Sequence, residues 1–272
     1  MPYRLDVVCE RLETLWPQSG AEAWDAPGLT SGDPHAMISR ILLTVDTVRA
    51  TVDEAVDAGA DLIVSHHPLL LRGVTSVAEN HYKGGLIATL IRHNCALLAA
   101  HTNADVVSDG TSAVLARRLG LRDIVPLSPS GDTDTGIGRV GDLEEPRSLG
   151  SLARTVADIL PPTASGVRVA GDFDQPVARV ALCGGAGDSL LNSPAVRSSD
   201  VYITADLRHH PASEARDEAL AHGGPALIDV SHWASEWLWL DVAADNLRTV
   251  LPDVTVLVSD IRTDPWDFVL LQ

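Results

Sequence analysis

The stretch ILLTVDTVRATVDEAVDAGADLIVSHH, residues Ile41 to His67, decides the fold class of this chain. Its opening ILLTVD (Ile41–Asp46) is an apolar run of strand character, and DLIVS (Asp61–Ser65) is another. Between them Thr47 to Ala58 reads as a helix, with Thr47 as its cap and Gly59 as its stop. Strand, helix and strand in that order call for a crossover connection, which sets the two strands parallel in one sheet. Working outward, Lys83–Asn94 reads as a helix, ALLAA (Ala96–Ala100) as a third strand and Thr111–Leu119 as a helix ended by Gly120. Upstream, Leu5, Val8, Leu12 and Leu15 recur at helical spacing, and a loop rich in Gly, Pro and Asp follows from Trp16 to about Met37.

Downstream, the stretch from Leu127 to Pro146 carries Ser, Pro, Gly, Asp and Thr with little periodicity and reads as a boundary. The alternation then resumes. Helix Leu149–Leu160 and strands Gly166–Ala170, Val177–Cys183 and Val201–Ala205 lead into helix Ala212–His222. Strand Ala226–Val230, helix Ser235–Leu247 and strand Val254–Val258 complete the pattern. The expected architecture is α/β, with two similar lobes and mainly parallel sheets: residues 1–126, a linker at 127–147, and residues 148–272.

Composition narrows the function. At 45% hydrophobic and 4% aromatic residues, the core must be built from Val, Leu, Ile and Ala. A formal net charge of −17 argues against non-specific nucleic-acid binding and against anionic membranes, because both need an excess of Lys and Arg. Cys9, Cys95 and Cys183 are far apart and form no CxxC unit, which suits a reducing compartment. With no signal peptide and no membrane-spanning run expected, the cytoplasm is the expected location.

Three of the expected strands run into histidine: DLIVS into His66 and His67, ALLAA into His101, and ALIDVS into His232. Ligand sites in parallel α/β sheets lie beyond the carboxyl ends of the strands, where these side chains can converge. HTNAD and HWASE add Asp105 and Glu236, each four residues after a histidine and so on its face of a helix. A vicinal His pair, or a single His-xxx-acid unit, more often serves a loop or a helix cap. Together at strand ends they read as metal ligands.

Imidazole and carboxylate suit zinc, manganese, iron or cobalt, and six donors exceed what a single catalytic zinc takes. Two divalent ions fit better. They bring four positive charges against the two of Asp105 and Glu236, which favours an anionic substrate and an activated water, hence hydrolysis. His209 and His210 form a second vicinal pair near Asp206, readable as proton shuttles or as a solvated helix start. CGGAG (Cys183–Gly187) lacks the Walker lysine and reads as a tight strand-to-helix turn. Trp233 and Trp237, one turn apart, read as core that anchors the helix bearing Glu236. No Ser sits in a G-x-S-x-G nucleophile elbow.

SHHPLL (Ser65–Leu70), HTNAD, CGGAG, YITADLRHH (Tyr202–His210) and SHWASE (Ser231–Glu236) occur in an order that resembles the GTP cyclohydrolase I type 2 proteins, also called interacting-factor-three-like proteins. The resemblance spans nearly the whole chain. It implies two similar α/β lobes with a dinuclear metal centre in the cleft between them, the second lobe returning to supply His232 and Glu236. The implied ligands are His66, His67, His101, Asp105, His232 and Glu236, and the implied assembly is a homohexamer. WDAPGL (Trp24–Leu29) departs from the family's Trp-Asp-Asn, and 127–147 is too short for the extra domain that many relatives insert. Two functions are expected from different classes. One is a metal-dependent hydrolase of a nucleotide or other phosphorylated small molecule, and the other is a non-enzymatic metal-binding scaffold or interaction protein.

Overall fold

The computed structural model describes residues 1–130 and 134–270. Residues 131–133 of the expected linker, and 271–272 of the expected second lobe, lie outside the described residues. The chain forms two compact units, the first from 1–104 and 240–263, the second from 105–239 and 264–272.

The first unit opens with helix α1 (Leu5–Leu15), whose Leu5, Val8 and Leu12 are buried as the helical spacing requires. Its sheet holds β1 (Gly28–Ser31), β2 (Arg40–Thr44), β3 (Leu62–Ser65) and β4 (Ala96–Ala99). Helices α2 (Arg49–Asp57) and α3 (Tyr82–Arg92) are the crossovers, so β2, β3 and β4 run parallel, Ile41 facing Leu62 and Leu62 facing Ala96. β1 joins β4 antiparallel at one edge. α2 starts two residues later than its sequence suggests: Thr51, not Thr47, closes the turn, its hydroxyl accepting the Val48 N–H at 3.0 Å. Val52, Ala55, Leu86 and Leu90 pack on Leu42, Ile63 and Leu97 to form this unit's core.

The second unit begins in the short helix α4 (Thr102–Asp105), followed by α5 (Thr111–Arg118). Strands β5 (Arg122–Val125) and β6 (Arg139–Ser148) come next, then α6 (Leu149–Ile159), β7 (Arg168–Ala170), β8 (Pro176–Ala186) and β9 (Val201–Ala205). Helix α7 (His209–His222) and strand β10 (Ala226–Val230) lead to α8 (His232–Trp237). The sheet order is β7-β10-β9-β8-β6-β5, parallel among β8, β9 and β10 and antiparallel at both flanks, so this sheet is mixed. Helix α9 (Trp239–Val250) and β11 (Thr255–Val258) follow, and β11 adds to the first unit's sheet parallel to β2.

The division therefore falls elsewhere than 127–147. Residues 139–148 are the strand β6, held between β5 and β8 by backbone pairing on both sides, with Arg139, Val140, Gly141 and Leu143 buried. Residues 105–126 pack in the second unit, where Ser112 Oγ accepts the Gly184 N–H at 3.0 Å. Residues 240–263 pack in the first, since β11 supplies its outer strand. The helix expected at Ser235–Leu247 is two helices: Ser231 caps α8, so helix begins at His232, and the chain breaks at Leu238 before α9. Among the described residues, no helix is long and apolar enough to cross a membrane.

Candidate metal centre

In the first unit, β3 ends at Ser65 and β4 at Ala99, and the next residues carry the imidazoles. The ladder continues past each strand: His66 N–H donates to the Thr44 carbonyl at 2.9 Å and His67 N–H to the Val45 carbonyl at 2.8 Å. His66, His67 and His101 meet there, one ligand nitrogen from each lying within 4.8 Å of the others. Their ring centroids are 5.1 to 5.5 Å apart. His66 is fully buried.

The outer nitrogen of each ring is fixed. Nδ1 of His66 lies 2.9 Å from the Ala100 carbonyl, that of His67 2.7 Å from Asp46 Oδ1, and that of His101 2.8 Å from Asp25 Oδ1. Carbonyl and carboxylate oxygens only accept, so Nδ1 carries the proton and Nε2 of a neutral ring carries the lone pair. Asp25 is itself tied down by the N–H and hydroxyl of Thr102. Burial works against its charge, but the hydrogen bonds from His101 and Thr102 outweigh it and hold the carboxyl well below the usual range. Asp46 also accepts from the Thr263 hydroxyl.

The second unit repeats the device. Ser231 Oγ accepts the Ala234 N–H at 3.2 Å and caps α8, which presents His232 and Glu236 one turn apart. His232 Nδ1 lies 2.7 Å from Asp206 Oδ2, and its Nε2 lies 3.0 Å from Oε1 of the buried Glu236. Burial disfavours the imidazolium, yet the Glu236 charge and the hydrogen bonds to both carboxylates raise His232 to about 11. The pair thus draws a positive charge to itself. Asp105 stands at the end of α4 and accepts from the Thr111 hydroxyl. Burial, with the Asp105 and Glu236 charges close by, pushes the Cys183 thiol up to about 12.

CGGAG is a strand rather than a strand-to-helix turn: β8 continues to Ala186, with a register shift against β9 between Leu182 and Ala186. Gly185 sits at φ +68°, and a Cβ there would fall 2.4 Å from Glu236 Oε1 and 3.1 Å from His232 Nε2. The missing side chain is what lets His232 and Glu236 lie against the strand. Gly185 N–H donates to Ser235 Oγ at 2.9 Å and its carbonyl accepts from Thr204 Oγ1 at 3.0 Å, which pins strand to helix. His209 and His210 are exposed at the first turn of α7, their rings 5.2 Å apart edge-to-face, and it is the neighbouring Asp206 that touches His232.

Sequence reading missed three residues, Asp25, Asp46 and Asp206. Their signal was present: ILLTVD and VYITAD both place an acid just past a strand, and WDAPGL carries Asp25. The chemistry of this donor set fits divalent transition metals, which take imidazole nitrogen and carboxylate oxygen, and the oxygen acceptors on every Nδ1 orient the rings as metal-binding histidines require.

A family model described as Duf34/NIF3 (NGG1p interacting factor 3) matches residues 3–265. The chain is 47% identical over 270 residues to a Streptomyces coelicolor protein named GTP cyclohydrolase 1 type 2 homolog, covering 97% of this chain and 93% of the relative. A Mycobacterium leprae protein of the same name is 34% identical over 376 aligned positions, covering 98% and 96%. That alignment is longer than the 272 residues of this chain, so the relative carries inserted residues. The solved structure of a Bacillus cereus protein related to NIF3 shares the fold, with a TM-score of 0.89 at 22% identity, covering 98% of this chain and 99% of that one.

Proposed function

Because the chain belongs to the Duf34/NIF3 family, we propose that it is a dinuclear-metal hydrolase acting on a nucleotide or another phosphorylated small molecule. The observation that carries the reading is the common setting of His66, His67 and His101, each of which gives its Nδ1 proton to a carbonyl or carboxylate and turns Nε2 towards the other two rings' ligand nitrogens, while His232 holds Asp206 through Nδ1 and meets the Glu236 carboxylate through Nε2. Asp105 and Glu236 complete six donors for two ions, which would supply Lewis acidity and an activated water.

The chain's own residues do the rest. Asp25, Asp46 and Asp206 fix the tautomer and angle of their imidazoles and raise the basicity of Nε2. Gly185 leaves space for Glu236. Six donors carrying two carboxylate charges under-neutralise two divalent ions, so an anionic substrate completes the charge balance. The curated relatives are named for a GTP cyclohydrolase, which is in keeping with a nucleotide substrate.

Elemental analysis of protein purified without chelator should give about two divalent ions per chain, with loss in His67→Ala and Glu236→Ala. Hydrolysis of a nucleotide and phosphoester panel should fall at least a hundredfold in both variants. Parental turnover in folded, metal-depleted variants would refute the hydrolase. The family description names an interaction, which favours a second reading, a metal-binding interaction protein. Partner binding that survives metal removal, with no turnover by the loaded protein, would select it.

A further inference from the structure

His209, from the YITADLRHH stretch, is not among the six candidate ligands; it lines a cavity of about 420 Å³ between α7 and the edge strand β7. Ser213 and Arg216 line the same cavity, and the three fall at i, i+4 and i+7, on one face of α7. Glu214 and Glu218 of this helix line a different cavity. In a chain whose formal net charge is −17, a cavity that gathers arginine and histidine is a local reversal of sign, and it favours an anion.

Arg168 of β7 lines the cavity too. Its Nε and Nη2 both donate to Oδ2 of Asp229, Nε at 2.8 Å, and Asp229 Oδ1 accepts the Leu207 N–H at 2.9 Å. Asp229 is only 8% exposed, so its carboxylate is a fixed post that aims the guanidinium. Among the described residues, Nη1 of Arg168 is left uncommitted, and Arg216 makes no hydrogen bond or ion pair. Val169, Leu207 and Leu227 give the cavity an apolar part. α7 opens at Arg208 without a side-chain cap, which leaves its first N–H groups and the positive end of its dipole beside His209.

We propose that this cavity is a second ligand site, taking a phosphomonoester with an apolar or aromatic body. The two guanidinium groups, the Ser213 hydroxyl and the His209 ring N–H offer more donors than the two oxygens of a carboxylate use. They suit the three terminal oxygens of a phosphate. Asp229 is the one carboxylate on the cavity wall, and Arg168 already neutralises it, so Arg216 keeps its charge for a ligand. The apolar side chains receive the group that the phosphate is attached to, and the volume lies within the roughly 300–1,000 Å³ of small-molecule sites. The site stands independently of the metal centre, because it uses none of the six candidate ligands.

Calorimetric titration of phenyl phosphate into the full chain, stripped of metal by chelator and then desalted, tests this with no ion competing for the anion. The parental chain should bind phenyl phosphate saturably, at one site. Inorganic phosphate should bind roughly tenfold more weakly, because it buries no apolar surface. Arg216→Glu and Ser213→Glu should each weaken phenyl phosphate by about tenfold or more, and Arg216→Lys should weaken it less than Arg216→Glu does. Both positions are exposed, so these variants should melt where the parent does. Arg168→Ala is the poorer probe, since it strands the buried Asp229 charge. No saturable binding to the parental chain, parental affinity in either glutamate variant, or equal affinity for the two phosphates would each overturn the proposal.

Discussion

At the scale of single residues, the candidate centre is defined as much by the groups behind the imidazoles as by the imidazoles themselves. Asp46 holds His67 through Nδ1 and is held in turn by Thr263. Asp46→Ala should leave all six donors present yet weaken metal binding about 10–100-fold, read by competition with a chelating dye. Unchanged affinity would mean that the carboxylate does not orient the ring. Gly185 is the second such position. Gly185→Ala forces a Cβ into the space of Glu236 Oε1 at a φ that costs an L-residue about 1–2 kcal/mol. Metal content should drop while the melting temperature falls by a few degrees, and a variant with full metal content would remove Gly185 from the account. The position of the histidines at strand ends, and the i, i+4 spacing of His232 and Glu236 on one helix, were legible in the sequence. The supporting aspartates were not, because an acid after a strand is common and only the distance to an Nδ1 gives it a role.

At the scale of elements, α8 is the part on which the pairing of His232 with Glu236 depends. One helical turn presents His232 and Glu236 together, and its start is fixed by the Ser231 cap. Ser231→Ala should cost about 0.5–2 kcal/mol in denaturant unfolding, and the looser turn should bind metal more weakly than the parent does. A stability loss with metal affinity untouched would show that the cap serves folding alone. The sequence suggests a helix from Ser235, whereas the Ser231 cap sets its start at His232. CGGAG was misread for a related reason. Glycines signal a turn in general, but here a strand runs through them, and the glycine is needed for what lies above it.

At the scale of the whole molecule, two ions bound only by the folded chain would add stability by mass action, about 2.7 kcal/mol for one site at a hundredfold excess over its dissociation constant. Chelation should therefore lower the melting temperature, and zinc or manganese should restore it. A melting temperature indifferent to chelator and metal would count against the centre as a whole. The sequence by itself determined the α/β class and the order of the parallel strands β2, β3 and β4, because these follow from local periodicity and from the crossover helices between the strands. It did not determine where the chain divides. The return of β11 to pair with β2, and the inclusion of 139–148 as a strand of the second sheet, rest on hydrogen bonds between residues far apart in sequence. The choice of Asp25, Asp46 and Asp206 as partners of the histidines was likewise decided only by tertiary structure, for local patterning sets which residues can pair, and long-range packing selects which ones do.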